Sequence, residues 1–267
     1  MQTLAGAAAL VRDGQTLALG GMTLYRRPLA FVRALLQRPQ PPRDLTLLCF
    51  TAGIESDLLV GAGCVGTVRS VYFGLESFGL APMFSEAARQ GQLRVQEESE
   101  LSIVAGMRAT MAGTSFMPSR AWRGSDLPRL RPDVQRMRDV YGEETLMAFP
   151  AIPLDVAVLH GLEADGQGNV LLNRNLGIDM ELVYIAERVI VTVERMVRDV
   201  RERADGHILP APGADLIVHA PRGAWPTSCH PDYALDGFAL LDYVEQCKAG
   251  RFDAWLADFL DDSPSGS

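Results

Sequence analysis

Short apolar runs alternate along this chain with stretches whose apolar residues recur every three or four positions, and that alternation predicts its elements. Residues 16–19, 45–50, 68–73 and 93–96 read as strands, bounded by Gly or Asp. Between them Leu29, Val32, Leu35 and Leu36 repeat at helical spacing, and residues 55–62 form a second short helix. Residues 82–90 open with proline and close before Gly91, the usual order for a helix start and stop. Further helices are expected at 4–11 and 101–113. A second block begins at Ala151, with strands at 156–160, 170–172, 188–193 and 215–219 and helices at 178–186, 238–248 and 252–260. Within it, residues 165–169 (Asp-Gly-Gln-Gly-Asn) read as a hairpin turn.

Strands and helices in alternation predict an α/β fold: an open, mainly parallel sheet with helices on both faces, plus a small flap or second strand block. The chain reads as a single domain over residues 1–267, without internal repeat or clean linker. Residues 123–142 are charged, proline-punctuated and poor in periodicity, which predicts a long loop within a flap at 121–150. Residues 222–233, broken by glycine and proline, predict a surface loop, and residues 263–267 a disordered tail.

In parallel sheets of this kind ligands bind at the carboxyl ends of strands. Two turns fall there. The first is Gly20, Gly21, Met22 and Thr23, running on through Tyr25, Arg26, Arg27 and Pro28 into a helix. Paired glycines let the backbone approach a ligand closely, and N–H groups ahead of a helix can face an anion or a polarised carbonyl; the same glycines can also simply turn a tight corner. The second is Glu97, Glu98, Ser99 and Glu100, between a strand and the helix that follows. Acidic residues at a helix amino terminus complement its dipole, and a carboxylate held at a strand end can also serve as base or nucleophile. Glu100 is the candidate catalytic residue. Arg120, with Arg123 nearby, is a candidate contact for a phosphate or carboxylate.

Composition narrows the chemistry. A net charge of -8 and a pI near 5.1 give no basic surface for nucleic acid. Lys248 is the only lysine and lies in a polar stretch, which sets aside a lysine Schiff base or a phosphate-binding P-loop. Cys49, Cys64, Cys229 and Cys247 form no C-x-x-C pair, and His160, His207, His219 and His230 are dispersed, so no metal site is expected. No apolar run reaches the roughly 18 residues of a membrane span and no signal peptide is evident, so a cytoplasmic protein without membrane contact is expected. Gly20 and Gly21 do not extend into G-x-G-x-x-G, which speaks against a dinucleotide fold.

The turn at Gly20 to Pro28 with its following helix resembles the first glycine loop of family I coenzyme A transferases, in particular the alpha (A-type) subunit of the glutaconate type. Four further stretches resemble that family in the same order: Phe73, Gly74, Leu75 and Glu76 with Leu80, Ala81 and Pro82; Phe116 to Arg120 with Gly124 to Asp126; His160 through Asp165, Gly168, Asn169 and Val170; and Arg188 to Glu194. The resemblance implies a heteromeric enzyme, built from related alpha and beta subunits, that moves CoA between an acyl-CoA thioester and a free carboxylic acid. It implies that the nucleophilic glutamate belongs to the beta subunit, and that no cofactor is bound beyond the coenzyme A thioester as substrate. This chain would then form one wall of the site, with Gly20, Gly21, Met22 and Thr23 beside the acyl group and Glu97, Glu98 and Arg120 as further substrate contacts. A second branch of the family, the ring-cleaving acyl-CoA hydrolases of steroid degradation, resembles the transferases in fold and in the arginine-containing turn after the first strand, and would use Glu100 as base. Met22 to Tyr25 depart from the small-residue pattern of the ketoacid transferases. A third expectation keeps the fold without chemistry, as a CoA-ester binding subunit.

Overall fold

The structure, a computed structural model, describes residues 3–202 and 205–261. The tail expected at 263–267 lies outside these. The elements in chain order are α1 (Leu4–Ala8), β1 (Thr16–Leu19), α2 (Leu29–Leu36), β2 (Leu45–Ala52), α3 (Ile54–Gly61), β3 (Val65–Phe73), α4 (Pro82–Arg89), β4 (Arg94–Glu97), α5 (Glu100–Met111) and β5 (Phe116–Ser119). They continue with α6 (Leu127–Leu130), β6 (Gln135–Arg138), β7 (Thr145–Pro150), β8 (Leu154–Asp165), β9 (Val170–Leu172), α7 (Asp179–Ile185), β10 (Ala186–Val197), β11 (His207–Leu209), β12 (Leu216–His219), α8 (Gly237–Lys248) and α9 (Phe252–Asp261).

Parallel pairing runs through β12, β10, β8, β1, β2, β3 and β4 in that order across the sheet. Such strands are covered on both faces, which is why they read as continuous apolar runs. On one face α2, α3, α8 and α9 pack Leu35, Leu58, Tyr243 and Phe259 into the core; on the other α5 and α7 supply Ile103, Met107 and Leu182. The fold is therefore α/β, with a mainly parallel sheet and helices on both sides.

One irregularity positions the first turn. β1 pairs with β8 only as far as Leu19 against Val158, while β8 continues to Asp165 and pairs there with β9, antiparallel, through Glu163 with Leu171 and Ala164 with Val170. β1 and β9 thus approach along one edge of β8, end towards end, and the chain leaving β1 turns in the notch between them.

The region 121–150 differs from the long loop expected. It holds a helical turn, α6, and two strands, β6 and β7, which with β5 make a small antiparallel sheet in the order β5-β7-β6. Its own small core is Trp122, Val134, Met147 and Phe149, with Ala105 of α5. Residues 222–233 are a loop, but Ala224, Thr227 and Cys229 are completely buried. The loop runs beneath the glycine turn rather than over the surface.

Candidate active site

The glycine turn is folded from inside. Gly21 takes φ +78°, and Thr23 and Arg26 take φ +45° and +55°, left-handed conformations that cost a residue with a side chain free energy and persist only where the surroundings fix them. The surroundings do so completely. The amides of Gly20, Gly21, Met22 and Thr23 donate respectively to the Val158 carbonyl (2.9 Å), Asp179 Oδ1 (2.8 Å), the Tyr25 carbonyl (3.0 Å) and Thr51 Oγ1 (2.9 Å). Each N–H that was expected to face an anion or carbonyl already has an acceptor within the chain. What the turn presents outward is its shape and the half-buried side chains of Met22 and Tyr25.

Arg26 and Arg27, which the sequence places in the turn without indicating a partner for either, are fully buried. Arg26 forms an ion pair with Asp179 at the start of α7 and also donates to the carbonyls of His160 (2.6 Å) and Asn175 (2.9 Å) and to Asn173 Oδ1 (3.1 Å). Arg27 forms an ion pair with Glu55 in the first turn of α3 and lies 3.6 Å from Cys49 Sγ. Burial works against the Arg27 cation, but Glu55 and, after it, Cys49 together more than offset it, and the guanidinium pKa is raised. Gly53 completes the seat: a Cβ there would stand 2.0 Å from the Thr23 carbonyl oxygen, so only glycine lets the turn rest on the end of β2. The available signal was two adjacent arginines between apolar stretches, with acids at two helix starts to receive them.

From below, the turn is held by the 222–233 loop. The Arg26 amide donates to the Ser228 carbonyl (2.6 Å) and the Ser228 amide to the Leu24 carbonyl (2.9 Å). That loop hangs in turn on Glu194 of β10, whose carboxylate accepts from the Arg222 amide (2.6 Å), the Gly223 amide (3.1 Å) and the Tyr233 hydroxyl (2.5 Å) and lies 2.7 Å from His160 Nε2. Burial opposes the Glu194 charge, yet these partners, His160 first, hold its carboxyl below the ordinary glutamate range. His160, Glu194 and Cys229 bring potential metal-ligating atoms within 4.8 Å of one another. Their polar atoms serve the chain itself, with His160 Nδ1 2.7 Å from Thr192 Oγ1, and burial pushes the Cys229 thiol up, away from the thiolate a metal needs.

The acidic turn ends β4. Two strands separate it from β1, which at the usual spacing places the two turns about 14 Å apart along one edge of the sheet. Its three glutamates do three different things. Glu98, expected to contact substrate, has a fully buried side chain that pairs with Arg69 of β3 (2.6 Å) and Arg131 after α6 (2.6 Å) and accepts from the Ser102 hydroxyl. It anchors the turn and has no free face. Glu97 and Glu100 are exposed. The helix is capped not by a glutamate but by Ser99, whose hydroxyl accepts from the Ser102 amide (3.2 Å) while the Ser99 amide donates to Ser102 Oγ (2.7 Å). Glu100, in the first turn of α5, is therefore exposed, and among the described residues it has no side-chain hydrogen bond or ion pair, leaving it only the complement to the helix dipole.

Sharing one carboxylate between two guanidiniums has an electrostatic cost. Burial, reinforced by the neighbouring Arg131 charge, outweighs Glu98 and pulls the Arg69 pKa down. Arg131 escapes because Asp133 also pairs with it, at 2.7 Å. Arg120 is not drawn to either turn by any contact of its own: its guanidinium is taken by Glu144 at 2.6 Å, beside the small sheet and largely in solvent.

The family profile described as coenzyme A transferase matches residues 1–220. The chain is 31% identical over 255 residues to the A subunit of 3-oxoadipate CoA-transferase of Pseudomonas knackmussii, covering 94% of this chain and 89% of that protein. It is 32% identical over 281 residues to the cholesterol ring-cleaving hydrolase IpdA subunit of Rhodococcus jostii, covering 98% and 92%. Among solved structures it superposes on the decarboxylase AibA/AibB C56S variant with a TM-score of 0.89 at 31% identity, covering 98% of each chain. It superposes equally, at 0.89, on glutaconate coenzyme A-transferase from Acidaminococcus fermentans, with 27% identity over 99% of this chain and 89% of that one. The glycine turn, the acidic turn and the sheet between them are therefore parts of a shared scaffold, and the chain belongs to the coenzyme A transferase family.

Proposed function

We propose that this chain is the alpha subunit of a heteromeric CoA transferase that moves CoA between an acyl-CoA thioester and a free carboxylic acid. The observation that carries this reading is likeness over nearly the whole chain to proteins named as the A subunits of CoA transferases. In that reading a glutamate of the beta subunit, the partner of this chain, attacks the thioester carbonyl, forming a mixed anhydride and releasing CoA thiolate. The thiolate then attacks the glutamyl carbonyl, releasing the first carboxylate and leaving a glutamyl-CoA thioester. An acceptor carboxylate reverses the two steps, and the glutamate is regenerated. This chain supplies the rigid wall: the glycine turn beside the acyl group, with Glu97 and Glu100 facing the same edge. A wall fixed by buried ion pairs holds the thioester in a reactive geometry without reorganising during reaction.

A second reading has its own support. The 32% identity to a ring-cleaving hydrolase subunit, together with an exposed Glu100 that has no side-chain hydrogen bond or ion pair among the described residues, favours hydrolysis of an acyl-CoA with Glu100 as base. One experiment separates the two. The complex co-expressed with its partner subunit is incubated with acyl-CoA and borohydride and analysed by mass spectrometry. The transferase reading expects a reduced glutamyl adduct on the partner, formed by the Glu100→Gln complex as well as by the wild type, and an isolated chain without activity. Absence of any adduct, with CoA-ester hydrolysis that falls about 10²- to 10⁴-fold in Glu100→Gln, would replace it with the hydrolase.

A further inference from the structure

The glycine turn has the form of an anion-binding turn, and a carboxylate of the chain itself already lies against it. Asp179 Oδ1 accepts the Gly21 amide at 2.8 Å, and a Cβ built on Gly20 would stand 2.5 Å from that same oxygen. The absence of a side chain at position 20 is therefore what admits the carboxylate. Its other oxygen is held by Arg26, and both side chains are fully buried. Arg26 belongs to the turn, whereas Asp179 is on α7, 153 residues away in the chain. The pair therefore closes a loop: the turn's own cation reaches down to a distant carboxylate, and that carboxylate reaches back to the turn's glycine amide.

From this geometry we propose that Asp179 is a positioning residue, which fixes the glycine turn through the Gly21 amide and is itself held in register by Arg26. The proposal rests on the functional reading above, in which the turn is the wall against the acyl group. It explains three features together. Two glycines are needed where a corner needs one, because Gly21 supplies the left-handed conformation and Gly20 the space for Asp179. The arginine at position 26 is buried and left-handed because its guanidinium must reach Asp179, Asn173 and two carbonyls at once, a fork that lysine does not offer. And the Gly21 amide is closed to a ligand anion, since the carboxylate it would bind is supplied by Asp179 of the chain itself.

Removing Asp179 alone would strand a buried guanidinium and risks unfolding the chain, so the test compares two double variants of the co-expressed complex. In both, Arg26→Met removes the cation; one carries Asp179→Asn, which keeps an acceptor for Gly21, and the other Asp179→Ala, which does not. Amide hydrogen exchange and steady-state kinetics with an acyl-CoA are measured on each. The expected result is Gly21 exchange at least about tenfold faster in the Asp179→Ala form, with β1 and β8 amides alike in the two. Its kcat should fall about 100-fold relative to the Asp179→Asn form, the scale of a misplacement of about 1 Å, with KM changed by less than about threefold. Equal Gly21 exchange in the two overturns the proposal whatever the activity. Faster exchange with equal kcat overturns the positioning role. If the wild-type complex shows no turnover while Gly21 exchange still separates the variants, the functional reading fails and the anchoring of the turn by Asp179 stands.

Discussion

The two turns at the site edge of the sheet are both pinned by buried charge, but from opposite directions. In the glycine turn the arginines belong to the turn and the carboxylates, Asp179 and Glu55, come from neighbouring helices. In the acidic turn the carboxylate belongs to the turn and the arginines come from β3 and from the segment after α6. The first arrangement consumes backbone donors and leaves a closed wall. The second consumes one glutamate of three and leaves Glu97 and Glu100 outward. The lesson is that a residue's formal suitability for chemistry says little until its partners are counted: Glu98 and the glycine amides look as available as Glu100 in the sequence, and neither is.

The sharpest way to break the comparison is Glu98→Ala. Removing one partner of a buried pair usually costs about 3–5 kcal/mol, because the other charge stays buried without compensation, and here two guanidiniums share the carboxylate. The expected outcome is a loss at the upper end of that range by urea unfolding, with protection lost at the start of α5 and in the segment carrying Arg131, while the glycine turn keeps its slow exchange. A loss below about 1 kcal/mol would mean that Arg69 and Arg131 find water or other acceptors, and the acidic turn would not be anchored as described.

Acid should act in the opposite place. Glu194 carries the loop under the glycine turn, and its folded carboxyl lies below the ordinary glutamate value. In the window between the folded and the unfolded pKa the unfolded chain binds the proton and the native chain does not. The stabilisation is therefore complete above the ordinary glutamate range and is lost as the pH falls through the folded value. Protection factors followed from about pH 7 downward should fall at the amides of Gly223, Ser228 and Arg26, and Glu194→Gln should lose that response while the wild type keeps it. An identical acid response in the variant would put the sensitive group elsewhere.

Much of the main sheet was legible because a parallel strand buried on both faces has no polar alternation to hide it. Residues 45–50 and 188–193 read as strands for that reason, and β2 and β10 extend beyond them where pairing continues past the apolar run. β6 was unreadable: Gln135, Arg136 and Arg138 face water, Met137 alone is half-buried, and nothing in such a strand differs from a charged loop. The two turns of the candidate site were legible in position but not in wiring. Gly20 and Gly21 follow the end of β1 and Glu100 opens the helix after β4, yet the pairing of Arg26 with Asp179 spans 153 residues, a tertiary fact that no local pattern encodes. The loop at 222–233 was misplaced to the surface because glycine and proline signal a break in regular structure, and a break is equally compatible with burial when a carboxylate such as Glu194 satisfies its amides.

The smallest effect is expected at Arg120, and it bears on how far the second turn's reach extends. Arg120 and Glu144 meet at 2.6 Å, but their side chains are 68% and 44% exposed, so the pair is a surface ion pair that solvent and salt screen and that contributes little to stability. Arg123 also lies 3.3 Å from Glu144 and would keep the carboxylate partnered in the variant. Arg120→Ala should therefore shift the unfolding midpoint by no more than a degree or two. Kinetics of the same variant then give a clean answer, since stability hardly moves. If Arg120 is only a surface partner of Glu144, KM for the acyl-CoA and for the acid should change by less than about threefold. A tenfold rise in either would show that the guanidinium leaves Glu144 for a substrate carboxylate or phosphate. That result would place a substrate contact beside the small antiparallel sheet, and would make that sheet part of the site rather than only a support for Glu98 through Arg131.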